Sequence, residues 1–188
     1  MKWFAAVLAT PGLTGIRDPR QARQMLLEDA LRAAPLVERF EGPLVDVGSG
    51  GGSPGIPLAA ELPEREVTLL EAERRKCDFL EQWAPANARV VWGRAEEQET
   101  ERFGVALAKA LAHPPVALEW CLPLVREGGA AILWTGPSAD LAALGRVAER
   151  LAGGAPEEHD GLVVVQKTGP TPTGFPRRAG IAKKRPLA

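Results

Sequence analysis

Hydrophobic positions follow two rhythms along the chain, and the switch between them comes near residue 44. Before it, Asp18-Pro19 opens a segment in which Ala22, Leu26, Ala30, Ala33 and Val37 recur at helical spacing, with a capping side chain ahead of a proline at the first helical position. This predicts a helix over residues 19–40, bent at Pro35, where the ring removes a backbone donor. From residue 44 short apolar runs alternate with helical segments. Strands are expected at 44–47, 67–70, 89–92, 105–108, 130–134 and 162–166, and helices at 54–62, 73–83, 116–124 and 138–151. That alternation implies an α/β domain, a mostly parallel sheet with helices on both faces. After Lys167 the pattern stops: residues 168–188 carry four prolines and three glycines, which predicts an extended, mobile arm.

Composition narrows the class. At 188 residues, 45% hydrophobic and 25% charged, the chain suits one soluble globular domain and excludes wholesale disorder or a collagen-like repeat. The apolar run at residues 3–9 is too short for a signal peptide and no cleavage site follows it, so a cytoplasmic protein without a membrane span is expected. Cys77 and Cys121 have neither the number nor the spacing for a disulfide scaffold or a zinc site, and are read as reduced thiols. Three parts are expected: a helical segment at 1–41, the α/β domain at 42–167 and a basic tail at 168–188. The net charge of −1 conceals a division, because Lys167, Arg177, Arg178, Lys183, Lys184 and Arg185 follow residue 166 with no acid among them.

The most informative stretch is Leu44-Val-Asp46-Val-Gly48-Ser-Gly50-Gly-Gly52-Ser-Pro54-Gly55, a buried strand entering a glycine-rich turn and then a helix. Glycines there let a cofactor approach the backbone. Gly50-x-Gly52-x-x-Gly55 also reads as a dinucleotide fingerprint, with Glu71 ending the next strand to hold a ribose. Two features favour S-adenosylmethionine instead. Asp46 puts a carboxylate before the turn, expected at the mouth of the site, where a cationic amino acid is welcome and a pyrophosphate is not. Gly93-Arg94-Ala95-Glu96-Glu97 follows the third strand, with a backbone amide and a carboxylate suited to bordering an adenine.

These residues carry a resemblance. Asp46-Val-Gly-Ser-Gly-Gly-Gly-Ser-Pro-Gly-Ile-Pro57, Leu69-Leu-Glu-Ala-Glu-Arg-Arg-Lys76 with Phe79-Leu80, Gly93-Arg-Ala-Glu-Glu97 and Phe175-Pro-Arg-Arg-Ala-Gly-Ile-Ala-Lys-Lys-Arg-Pro-Leu187 together resemble the RsmG (GidB) family, which methylates N7 of a guanine in bacterial 16S ribosomal RNA. The resemblance implies a class I, Rossmann-like methyltransferase in which Gly48 and Ser53 contact the cofactor at the turn, Glu71 holds the ribose hydroxyls and Ala95-Glu96 the adenosine, with Gly50 inside the same turn expected to contact it as well. A family arginine at the cofactor falls on Lys109, which keeps the charge without the planar fork. The implied partner is 16S rRNA or the 30S subunit, met by Arg177, Arg178, Lys183, Lys184 and Arg185, with the protein acting as a monomer.

The chain departs from the family pattern at several places. Val7, Leu8 and Gly12 replace polar landmarks of a longer N-terminal region, an Arg-His pair becomes Met25-Leu26, and an Asp-Ser pair becomes Asp29-Ala30. Thr135 stands where a lysine is expected and Gly104 where an acid is, and residues 153–160 look too short for a sixth strand. Methyl transfer to an unprotonated ring nitrogen needs no general base, so no catalytic acid, base or nucleophile is expected, and neither His113 nor His159 is assigned a chemical role. Without tyrosine, Trp134 is the candidate for stacking on an extruded base. The competing readings are a non-catalytic RNA- or ribosome-binding relative, a small-molecule methyltransferase and, more remotely, an NAD-dependent enzyme.

Overall fold

A computed structural model of the chain describes residues 2–136 and 139–188; the expected start of a helix at residue 138 lies outside them. The strands are β1 (Leu44–Val47), β2 (Val67–Glu71), β3 (Ala88–Trp92), β4 (Phe103–Lys109), β5 (Val125–Trp134), β6 (Glu157–His159) and β7 (Leu162–Gln166). They form one sheet in the order β3-β2-β1-β4-β5-β7-β6. The first five run parallel, and β7 pairs antiparallel with both β5 and β6. Every residue of β1 and β2 is buried, which is why both read as unbroken apolar runs apart from Asp46, Thr68 and Glu71. The chain leaves β1 toward β2 on one side and later returns to β4 on the other. Strand order therefore reverses between β1 and β4, and a crevice opens at their carboxyl ends, where open α/β sheets bind ligands.

Residues 153–160 do supply a sixth strand: β6 is three residues long and finishes the sheet edge against β7. Gly104 is explained by a close approach, since a Cβ there would lie 1.8 Å from the Glu41 carbonyl oxygen. That crowding accompanies the register shift between β4 and β5 at Phe103 and Val105.

The N-terminal helical region differs from expectation. An additional helix, α1 (Lys2–Ala9), buries Trp3 and Val7; its short apolar run signals a helix because it has a turn of the sheet domain to cover. The expected helix over 19–40 is divided into α2 (Pro19–Ala22), a π-helical turn (Arg23–Glu28), α3 (Asp29–Leu31) and α4 (Ala34–Val37). Asp18 caps α2 as its side chain accepts from Arg20 N–H at 2.8 Å. Pro35 sits in the first turn of α4, where its missing donor costs nothing, so it begins a helix instead of bending one.

The remaining helices are α5 (Gly55–Glu61), α6 (Arg74–Trp83), α7 (Pro114–Cys121), α8 (Leu141–Arg150) and α9 (Ile181–Lys184). The tail is not an extended arm. Ala182 is buried, Phe175 and Leu187 pack against the core cluster that includes α7, and Arg177 pairs with Glu119 of α7. Proline and glycine prevent a long helix there; they do not prevent docking once side chains at spaced positions find a partner. Among the described residues no helix is long and apolar enough to cross a membrane.

Candidate functional site

The turn after β1 depends on its glycines. Gly48, Gly50 and Gly52 have φ of 72°, 54° and 102°, backbone that side chains with a Cβ rarely adopt. At Gly48 a Cβ would also stand 2.3 Å from Leu111 Cδ1, whereas above Gly50 the nearest atom would be 3.8 Å away. The turn is thus closed on the β4 side and open above Gly50. Three side chains fix it. Trp3 Nε1 donates to the Gly51 carbonyl at 2.8 Å, Ser53 Oγ donates to the Leu26 carbonyl at 2.8 Å, and Glu71 Oε2 accepts from Gly50 N–H at 2.8 Å. The other Glu71 oxygen accepts from Glu73 N–H at 2.8 Å, so the carboxylate bridges two loops.

Above this turn lies a cavity of about 590 Å³, within the range typical of small-molecule sites. Gly48, Gly50, Ser53, Glu71, Ala95, Glu96 and Lys109, selected from four separate segments of sequence, all line it. Lys109 Nζ is 2.9 Å from Asp29 Oδ2 and also contacts the Met25 carbonyl, which ties the end of β4 to the π-helical turn. Met25 and Leu26 therefore border the cavity themselves. A π turn is a frequent device for re-aiming backbone groups at a site.

The basic tail divides in two. Arg177 faces inward: its Nε and Nη2 donate to Glu119 at 2.5 and 2.6 Å, and Glu119 is only 2% exposed. Lys183 is exposed but sits at the cavity's edge, lining it with its Nζ 5.2 Å from the centre of the Trp120 ring. Arg178, Lys184 and Arg185 stand exposed.

Some expectations fail on geometry. Asp46 is not at the mouth of the site; it is 1% exposed beneath the turn, where Oδ2 accepts from Gly55 N–H at 3.0 Å. Burial pushes its carboxyl up to about 7, with Glu71 adding to the rise and the Gly55 bond opposing it. Trp134 does not line the cavity, because its Nε1 donates to the Asp29 carbonyl at 3.1 Å and holds α3 to the sheet. The exposed aromatic at the rim is instead Trp92, 62% exposed, with its Nε1 donating 3.0 Å to the carbonyl of the cavity residue Ala72. Arg74 Cζ lies 5.5 Å from its ring centre. Among the described residues Thr135 Oγ1 meets the carbonyls of Gly136 and Gly161, and His113 is exposed ahead of α7. Sequence reasoning missed Trp3, Val7 and Trp120 as cavity residues. The one acid inside α7, Glu119 in Pro-Pro-Val-Ala-Leu-Glu-Trp-Cys, was the available signal that something cationic docks on that helix.

The cavity suits S-adenosylmethionine on its own terms. The glycine cradle leaves room above Gly50, and the carboxylates of Glu71 and Glu96 on the cavity wall offer acceptors to ligand hydroxyls and amines. A reversing parallel sheet with its crevice at this cradle makes the protein a class I S-adenosylmethionine-dependent methyltransferase. The fold agrees with that of the T. thermophilus 16S rRNA N2 methyltransferase RsmC, solved with AdoMet and guanosine: TM-score 0.60, 18% identity, over 87% of this chain and 42% of that one. The family profile of rRNA small subunit methyltransferase G (GidB) matches residues 4–146. Curated relatives named ribosomal RNA small subunit methyltransferase G include one from Rubrobacter xylanophilus, 37% identical over 98% of this chain and 81% of its own, and one from Symbiobacterium thermophilum, 35% identical over 93% and 82%. The chain belongs to the rRNA small subunit methyltransferase G family.

Proposed function

We propose that the protein transfers a methyl group from S-adenosylmethionine to N7 of a guanine in 16S ribosomal RNA, met as free RNA or within the 30S subunit, acting as a monomer in the cytoplasm. The observation that carries this reading is the gathering of the seven cofactor candidates around one cavity at the switch point of the sheet. The cofactor supplies a methyl group already activated by a sulfonium centre. The protein's own residues hold and orient. Gly48 and Gly50 present backbone to the ligand, Glu71 keeps the turn in place and offers carboxylate oxygen to ribose hydroxyls, and Ala95 and Glu96 border the adenosine.

A guanine N7 has a free lone pair, so alignment of nitrogen and methyl carbon contributes the catalysis and no base is required. The target nucleotide must be single-stranded or extruded. Trp92, exposed beside the cavity and backed by the planar Arg74 guanidinium, supplies a stacking surface for a neighbouring base, the role the sequence pattern assigns to Trp134. Arg178, Lys183, Lys184 and Arg185 of the tail are exposed cations available to phosphates, as are Arg17, Arg20 and Arg23.

The test is transfer of tritiated methyl to 16S rRNA and to 30S particles lacking the modification, with Gly48→Asp as control. Label at one guanine N7, lost in the variant, is expected. Cofactor binding by calorimetry without transfer to either substrate would favour a binding-only relative, a reading consistent with the loss of polar residues at Met25-Leu26 and Thr135.

A further inference from the structure

The basic tail and the cofactor cavity are not separate features. Gly180 N–H donates to Glu96 Oε1 at 3.1 Å, so the residue expected beside the adenosine already holds the start of α9. One turn on, Lys183 lies over the Trp120 ring, and both residues line the cavity. Trp120 is 8% exposed and its Nε1 has no partner among the described residues. The anchor for this arrangement is the two-pronged Arg177 to Glu119 ion pair, reinforced as Arg177 Nη2 donates to the Arg185 carbonyl at 2.9 Å. A guanidinium that meets a buried carboxylate through parallel bonds fixes orientation as well as position. Nothing in this geometry is needed for a solubilising or purely RNA-facing terminus.

We propose that residues 177–185 form the outer wall of the methyl-donor site, with Lys183 contacting the adenosine end of the bound cofactor. This rests on the cofactor assignment above. The placement follows from neighbours: Ala95 and Glu96 bracket the same end of the cavity, and Ala95 packs in the cluster that contains Trp120 and Ala182. An ammonium at that edge donates to a ring nitrogen or a ribose oxygen, both acceptors, while the indole beneath it supplies an apolar floor. Lys184 and Arg185 adjoin Lys183 and face outward, so a phosphate held by them and a cofactor held by Lys183 act on one short segment.

Calorimetry of the full-length protein with S-adenosylhomocysteine and with adenosine tests the assignment. Lys183→Ala is expected to weaken both ligands at least fivefold while leaving the melting temperature of the unliganded protein unchanged. Arg150→Ala, removing a cation on α8, controls for net charge and is expected to leave both affinities within twofold of the parent. A double variant, Arg177→Met with Glu119→Gln, undocks the tail without stranding a buried charge and is expected to weaken both ligands similarly. If the parent binds S-adenosylhomocysteine and the Lys183 and double variants match it within twofold, the wall assignment is overturned and the cofactor assignment stands. If the parent binds no S-adenosylhomocysteine, both fall together.

Discussion

The Glu71 carboxylate at the end of β2 accepts from the backbone N–H of Gly50 at 2.8 Å, joining β2 to the glycine turn that follows β1 and floors the cofactor cavity. With its other oxygen on Glu73 N–H, the side chain settles where the glycine turn sits before any ligand arrives. Glu71→Ala leaves two backbone donors without a partner, at about 1–3 kcal/mol each if they stay shielded from water. Denaturant unfolding should show a loss of that order, and calorimetry an S-adenosylhomocysteine affinity reduced at least tenfold. Glu71→Gln retains one acceptor and should fall between. Unchanged stability and affinity in the alanine variant would remove Glu71 from both roles.

Asp46 sets a pH dependence. Burial raises its carboxyl from 3.8 to about 7, so in the folded protein it keeps a proton that the unfolded chain releases near pH 4. The folded state binds more protons between those values. The contribution is therefore complete below pH 4 and is lost as pH rises through 7, a difference on the order of a few kcal/mol. Asp46→Asn cannot ionise and its carbonyl can still accept from Gly55. The variant should gain stability relative to the parent as pH rises from 4 to 8, read as denaturation midpoints across the range. A constant difference would show that Asp46 titrates normally.

Trp3 links the N-terminal helix to the site, since its indole N–H donates to the Gly51 carbonyl at 2.8 Å. Trp3→Phe keeps most of the packing and removes that bond, with an expected cost of about 1 kcal/mol in stability. Loss of a fixed turn should raise the KM for S-adenosylmethionine several-fold while kcat changes little. An effect on kcat alone would place α1 in the chemistry of the acceptor and not in holding the cradle.

Trp92 separates the two ligands. Its ring stands outside the cavity, so Trp92→Ala should leave S-adenosylhomocysteine affinity within twofold and weaken binding of 16S rRNA about fivefold or more, consistent with ~1–3 kcal/mol for a stacked base. Filter binding at fixed ionic strength measures it. Equal RNA affinity for parent and variant would leave Trp92 as a brace on the Ala72 loop, a role its indole N–H already fills.

The local signals were legible because local physics produces them. Glycines at 48, 50 and 52 are needed wherever the backbone takes positive φ, and the apolar runs of β1, β2 and β4 are what burial on both faces demands. Those features, with Glu71 ending β2 and Ala95-Glu96 just beyond β3, brought out the fold class and part of the cofactor set, while Ser53 and Lys109 came from the family resemblance. Spacing along the chain does not say which way a side chain turns or what meets it from afar. Asp46 was expected to face a ligand and lies under the turn, because Gly55 N–H, at the start of the next helix, draws its carboxylate inward. The tail was expected to wave free, but Arg177 finds Glu119 58 positions away and Lys183 reaches Trp120. Turn and strand were fixed by neighbours in sequence, whereas the walls of the cavity were decided by contacts between distant segments, which only the folded chain brings within reach.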